Sequence, residues 1–485
     1  MSWGQPARGL GARLLLACLL LLTLSEVAWA ASRLGVRDFE HLSAEAISEL
    51  VAHPDPVQNI DPSNPASHLS RILIPRPPDT ENNTIVRQYI VSTLKNLNWH
   101  VEEDSFNDTT PYGVKQFTNV IATKDPAASR RVILAAHFDS KFFSEYPNSQ
   151  FVGATDSAAP CAFMLDVVEA LNPLLEDRLE KLRDEDDDDD DNELLDTTLQ
   201  LVFFDGEEAF KDWTATDSIY GARHLAEKWA STYINPHTHK KRRLTQWTQD
   251  TEISTIEHLI LLDLLGAPNP HIHSSFIDTA WLFDAMVSAE QRLLSTGAFN
   301  FQGDNGAHSF FVPRTGNVNV YGRVEDDHIP FLRRGVDVLH VIATPFPRVW
   351  HTLADDASAL DIPTMRRWVL ILRLFMCEYL GLKPDDERRR SFIQKAADDL
   401  VSTVSLAYGL SSRLYYIVAM EQNNIEGRID DAFPDGYLMH HVVIYYMGFQ
   451  PSSPPSTCSI LSVKRNESLR ECASSVLNGR PLYDV

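Results

Sequence analysis

This sequence predicts an α/β domain, a three-layer sandwich whose central, mostly parallel twisted sheet is flanked by helices, followed by a C-terminal extension. Three observations predict it. Short, almost wholly apolar runs recur at 132–136, 199–204, 259–262 and 336–342, and continuous apolar runs of about four to eight residues read as strands buried on both faces. Helix-like stretches at 158–174, 220–231, 281–295 and 363–382 alternate with them, as expected of a parallel sheet covered by helices. Polar residues capable of chemistry sit at or just after the C-terminal ends of the runs, where open α/β sheets place their sites.

The elements follow in order. Arg8 and Arg13 give a positive start, and 14–24 form an apolar core too short to cross a ~30 Å hydrocarbon layer. Ala28-Trp29-Ala30 is a small-x-small cleavage site, so 1–30 read as a secretory signal, cleaved or kept as a Golgi-type anchor. The expected location is outside the cell or in the secretory-pathway lumen, and the sequons at Asn82, Asn107 and Asn466 agree with it. Ile85, Tyr89, Ile90, Leu94 and Leu97 stand at helical intervals and predict a helix over 84–97. The α/β domain is expected over 31–383, with an acidic insert at about 176–196. Eight acids in a row, Asp184 through Asp191, repel one another there and read as a solvated loop. Pro384-Asp385-Asp386 breaks the chain, and 384–485 form an extension with a helical pattern at 391–408 and apolar runs at 414–420 and 441–447.

Composition narrows the function. Of 485 residues, 44% are hydrophobic and 23% charged, which excludes a chain disordered or fibrous throughout. A net charge of -24 argues against non-specific nucleic-acid binding, which leans on Lys and Arg. Beyond the leader there is no uncharged apolar run of about 18 residues, so no stable membrane span is expected. Cys161 and Cys377 lie in apolar helical contexts and read as buried inert thiols, while Cys458 and Cys472 are candidates for pairing in a polar tail. A monomer is expected.

The strand-end residues are His137-Phe138-Asp139-Ser140, Asp156, Asp205-Gly206-Glu207-Glu208, Asp263, Glu325-Asp326-Asp327-His328 and Trp350-His351. Singly, each has a bland reading: an Asp before a helix is an N-cap, adjacent glutamates are a solvated pair, and a His beside an aromatic is packed. Together they ask for more. Carboxylates beside apolar strands are costly unless they pair, hydrogen-bond or hold a cation. A zinc ion held by one Asp, one Glu and one His, with a position left open, is a standard hydrolase-type arrangement.

These motifs identify a resemblance. The segments 151–158 (Phe-Val-Gly-Ala-Thr-Asp-Ser-Ala), 203–210, 262–270, 326–335 (Asp-Asp-His-Ile-Pro-Phe-Leu-Arg-Arg-Gly) and 349–352 resemble the animal and fungal type of glutaminyl-peptide cyclotransferase, a relative of the zinc aminopeptidases. The resemblance runs from about Asp38 to Leu382 and arrives in the family's order. It implies one zinc per chain on Asp156, Glu208 and His351, with Glu207 as the proton-moving residue. It implies that Asp263 and Asp326 are paired acids beside the substrate, sharing a proton. Trp213, Phe346 and Trp350 would form an aromatic pocket wall, with His340 behind it. The bland reading of Trp213 and Phe346 is ordinary core aromatics. The implied substrates are peptides or proteins with N-terminal glutamine, cyclised to pyroglutamate with release of ammonia.

Three departures stand out. Ala136 replaces a Cys that the animal enzymes pair with the one matching Cys161, the acidic loop is expanded, and the tail has no counterpart. The competing reading is a two-zinc aminopeptidase, in which His137, Asp156 and Asp263 form a second metal site sharing Asp156. A non-catalytic binding module would show a lost ligand or base, and all four of Asp156, Glu207, Glu208 and His351 are present.

Overall fold

The computed structural model describes residues 39–184, 197–234, 251–302, 306, 308–314, 324–384, 415–419, 442–446 and 459–463. The expected signal at 1–30, residues 185–196 of the acidic insert, Asn466, Cys458, Cys472 and the helical pattern at 391–408 lie outside the described residues. The chain divides into two compact units, Met1–Lys383 and Pro384–Val485.

In the first unit, helices α1 (Ala44–Ala52), α2 (Pro56–Ile60), α3 (His68–Ile72) and α4 (Glu81–Asn96) precede strands β1 (His100–Thr110), β2 (Gly113–Thr123) and β3 (Arg130–His137). There follow α5 (Ala159–Asp184), β4 (Thr197–Phe204), α6 (Tyr220–Ser231), β5 (Ile256–Asp263), α7 (Ala280–Ser295), α8 (Ile329–Leu332), β6 (Asp337–Ile342) and α9 (Ile362–Tyr379). The sheet order is β1-β2-β4-β3-β5-β6. Strands β4, β3, β5 and β6 are mutually parallel, and each corresponds to one of the apolar runs. β1 and β2 join antiparallel and were not expected from the sequence. The reason is physical: β1 is an edge strand, largely exposed, with no continuous apolar run to mark it.

The two faces of the sheet sort the core by the two-residue period of a strand. Val132, Leu134, Ala136, Leu201 and Phe203 pack on one side with Phe163 of α5 and Trp368 of α9. Ile133, Ala135, Val202, Phe204 and Leu261 pack on the other with Leu225 and Trp229 of α6 and Phe331 of α8. α5 and α9 are cross-tied by Arg373, whose Nε and Nη2 donate to the two oxygens of Asp166 at 2.7 and 2.8 Å. α9 starts cleanly because Asp361 caps it, accepting from the Thr364 N–H at 2.9 Å, with Pro363 in its first turn.

One expectation changes here. α5 continues to Asp184, so 176–184 of the expected loop are helical. The stretch 148–182 has the length and mean hydropathy, 1.4, of a membrane span, yet 78% of its apolar window is buried inside the protein. That burial marks a core helix. Cys161 and Cys377 are free and buried, and burial pushes the Cys161 thiol up to about 12. In the second unit, β7 (Tyr415–Ala419), β8 (Val442–Tyr446) and β9 (Ser459–Val463) form an antiparallel sheet in that order; the apolar runs at 414–420 and 441–447 supply β7 and β8.

Candidate active site

The chemistry gathers at the C-terminal edge of β3, β4, β5 and β6. β3 ends in His137 and β5 in Asp263, while Glu207 and Glu208 follow β4. Asp156 enters on the loop ahead of α5. That loop turns at Gly153, whose φ of +54° is left-handed, and a Cβ there would lie 2.1 Å from the Asp156 carbonyl oxygen, so only glycine fits. His351 comes from the segment after β6 and also has a positive φ, 56°, an uncommon conformation for a non-glycine residue.

The Nε2 of His351 lies 3.2 Å from Glu208 Oε1 and 3.4 Å from Asp156 Oδ2. Asp156 Oδ2 is buried and has no hydrogen-bond partner. Two ligands each about 2.0–2.1 Å from a tetrahedral zinc lie about 3.3 Å apart. The spacing and donor set therefore fit such an ion. The carboxylates of Asp156 and Glu208 favour the protonated form of His351, lifting it to about 9 against the opposing effect of burial. Burial would raise Asp156, but the hydrogen bond from His137 and the nearby charge of His351 leave it below its ordinary value.

A second cluster shares Asp156. His137 Nε2 lies 3.1 Å from Asp156 Oδ1 and 3.6 Å from Asp263 Oδ1. That Asp263 oxygen also accepts from Ser157 Oγ at 2.5 Å and from the Leu264 N–H at 2.7 Å. The residues of the two-metal reading are thus in place, but Asp263 Oδ1 is already engaged within the protein. A third group, Asp326, His328 and His340, lies deeper. His340 Nε2 is 2.7 Å from Asp326 Oδ2, and the Asp327 N–H donates to Asp326 Oδ1 at 2.6 Å.

The acids differ in charge state because their neighbours differ. Burial raises Asp263 to about 6 despite His137. It would raise Asp326 as well, but the His340 hydrogen bond outweighs it and holds Asp326 low. Burial drives Glu207 well above the ordinary range; His137 opposes it, and Glu208, Asp326 and Asp327 add to it. Among the described residues no hydrogen bond joins Asp263 to Asp326; each has partners of its own, in place of the shared proton expected between them.

A cavity of about 390 Å³ opens over this cluster. Asp156, Glu207, Glu208, Asp263 and His351 line it, with Trp213, Phe346 and Trp350 as an apolar wall. Phe346 and Trp350 meet nearly edge-on at 5.0 Å, Trp350 stacks on His351 at 3.8 Å, and Trp213 Nε1 donates to Glu325 Oε2 at 3.2 Å. Asp326 and His340 are not in the lining; they are buried behind it at 2% and 3% exposure. A larger cavity of about 640 Å³, lined by Pro268, His308 and Arg367, contains none of these carboxylates and so lacks the chemistry.

Two residues with contacts to the cluster were given no role from the sequence, one named there only as part of a strand-end motif and the other not named at all. Asp139 accepts from the Glu207 and Glu208 N–H groups at 3.1 and 3.3 Å and so orients both; its place two residues after His137 was the only available sign. Lys141 Nζ lies 3.3 Å from Glu208 Oε2, and nothing in its local sequence announces that contact.

Comparison with known proteins gives the family. The model of peptidase family M28 matches residues 119–376, more than half of the chain, and the chain belongs to that family. Within it, the chain groups with the glutaminyl-peptide cyclotransferases. It is 41% identical to the glutaminyl-peptide cyclotransferase of Drosophila melanogaster over 318 residues, 64% of this chain and 79% of that one. It is 42% identical to a glutaminyl-peptide cyclotransferase-like protein of Bos taurus over 316 residues, 65% of this chain and 74% of that one. The crystal structure of Macrostomum lignano glutaminyl cyclase superposes with a TM-score of 0.59 at 36% identity, covering 72% of this chain and 97% of that one.

Proposed function

We propose that this enzyme cyclises the N-terminal glutamine of peptides and proteins to pyroglutamate, using one zinc ion held by Asp156, Glu208 and His351. The observation that carries the reading is the Asp156–Glu208–His351 cluster at ligand spacing, set beneath a small aromatic-walled cavity. A bound zinc ion supplies a Lewis acid for the side-chain carbonyl oxygen. In the reaction a bond forms from the α-amino nitrogen to the side-chain carbonyl carbon, the carbon–nitrogen bond of the amide breaks, and ammonia leaves. Glu207, facing the cavity, takes the proton from the attacking amine and delivers it to the departing nitrogen, a poor leaving group until protonated. Nucleophile and electrophile belong to one residue, so the protein's remaining work is to enforce a folded conformer. Trp213, Phe346 and Trp350 provide that confinement. Asp263 offers a carboxyl group to the amide nitrogen, and Asp326 with His340 fixes the charge behind it.

The family kinship, the leader-like start and the sequons support a secretory-pathway location and glycosylation. The relatives favour cyclisation over removal of the N-terminal residue. Incubating the full chain with a Gln-initiated peptide tests this directly: loss of ammonia alone is expected, and release of a free amino acid would establish the peptidase instead. Metal analysis is expected to find one zinc per chain.

A further inference from the structure

The loop that delivers Asp156 is held from both sides by residues outside the ligand cluster. Arg76, fully buried just ahead of α4, donates through Nε to the Phe138 carbonyl, through Nη1 to the Val152 carbonyl and through Nη2 to the Gly153 carbonyl at 3.3 Å. Among the described residues it has no ion pair with a carboxylate. A buried guanidinium without one is costly, yet its donors go to backbone carbonyls flanking His137 and Asp156. Opposite it stands Asp355, also fully buried. Its carbonyl accepts from the Ala154 N–H at 3.0 Å, and its Oδ1 accepts from the Thr155 N–H and hydroxyl, both at 2.9 Å. Four consecutive residues, 152–155, are thereby tied by their backbone, and the next residue is Asp156.

We propose that Arg76 and Asp355 are positioning residues that clamp 152–155, so that the chain's grip on zinc depends on both although neither is a ligand. The proposal rests on the zinc reading above. Its logic is that of outer contacts at metal sites, whose loss weakens metal binding by about 10–100-fold. Arg76 acts through the fork of its guanidinium, which spans two loops; Lys has one nitrogen and cannot hold the separate carbonyls together. Asp355 acts as an acceptor, a role that Asn can fill.

The test uses the full chain and zinc alone as the probe, measuring zinc affinity by chelator competition and the thermal transition of the metal-free protein. Arg76→Lys and Asp355→Ala are expected to bind zinc about 10–100-fold more weakly than the parent, whereas Asp355→Asn recovers most of the loss. Tyr379→Phe is the control: it removes a buried hydroxyl held by His258 and Glu257 near the opposite end of β5, and is expected to lower the transition without loosening zinc. Affinities within twofold of the parent in both Arg76→Lys and Asp355→Ala would overturn the clamp, as would equal loosening in Tyr379→Phe. If Asp355→Ala does not fold, Arg76→Lys decides. Failure of the parent to bind zinc at all would instead sink the zinc reading.

Discussion

Replacing Glu207 by Gln separates the proposed proton-moving role from everything else this residue does. Gln has the same length and nearly the same volume, so no void opens at a buried position. The backbone N–H of residue 207 still donates to Asp139, which keeps the side chain aimed into the cavity. The neighbouring Glu208, the proposed zinc ligand, is untouched, so zinc should stay bound. What disappears is the ability to accept and return a proton, typically a loss of about 10²–10⁴ in turnover, or about 2.7–5.5 kcal/mol of barrier. The same change replaces a buried carboxyl whose ionised form is disfavoured by burial and by Glu208, Asp326 and Asp327 with a neutral amide. Thermal stability should therefore hold or rise while activity collapses. The assay follows ammonia release from a Gln-initiated peptide, zinc content and the melting transition on one preparation. Turnover at the parent rate with zinc bound would refute Glu207 as the base; loss of zinc would show that the residue holds the metal site instead.

Three further outcomes are expected. Burial would raise Asp104, but hydrogen bonds from His224, Lys228 and Asn119 bring it down to about 2, from 3.8. At about 1.36 kcal/mol per unit, that carboxylate contributes at most about 2 kcal/mol at pH 7, discounted because Lys228 is half exposed. A depressed carboxylate gives its full stability above the unfolded pKa and loses it as pH falls through the folded one. Denaturant melts should accordingly show Asp104→Asn weaker than the parent at pH 7 and the gap about half closed at pH 3; a constant gap would refute the pairing. Removing zinc with a chelator should abolish ammonia release, and one equivalent of zinc should restore it; full recovery only at two equivalents would favour a second metal on His137, Asp156 and Asp263. Asn107 is exposed on β1, whereas Asn82 is half-buried in α4 and donates to the Pro75 carbonyl at 2.7 Å. Deglycosylation mapping of protein from a secreting eukaryotic host should find a glycan at Asn107 and not at Asn82.

Legibility in this chain tracks burial. β3, β4 and β5 could be read because both of their faces are covered, which writes an unbroken apolar run into the sequence. β1 could not, since one side of it faces water and its stabilising partners are distant in sequence: Asp104 meets Lys228, and Phe106 stacks on His224 at 3.9 Å. The same contrast runs through the active site. Asp156, Glu208 and His351 stand out as a set through the family motifs around them, and the fold brings the three together. The division of labour between Asp263 and Asp326 was not legible, because an aspartate carries no mark of its charge state. That state is imposed by partners: Ser157 and the Leu264 N–H for one, His340 for the other. The two acids therefore reach different proton affinities while looking equivalent in the sequence. Arg76 is the extreme case. It lies 80 residues before Asp156, in a stretch with no catalytic motif, and only the folded backbone reveals that its donors meet the carbonyls on which the ligand loop hangs.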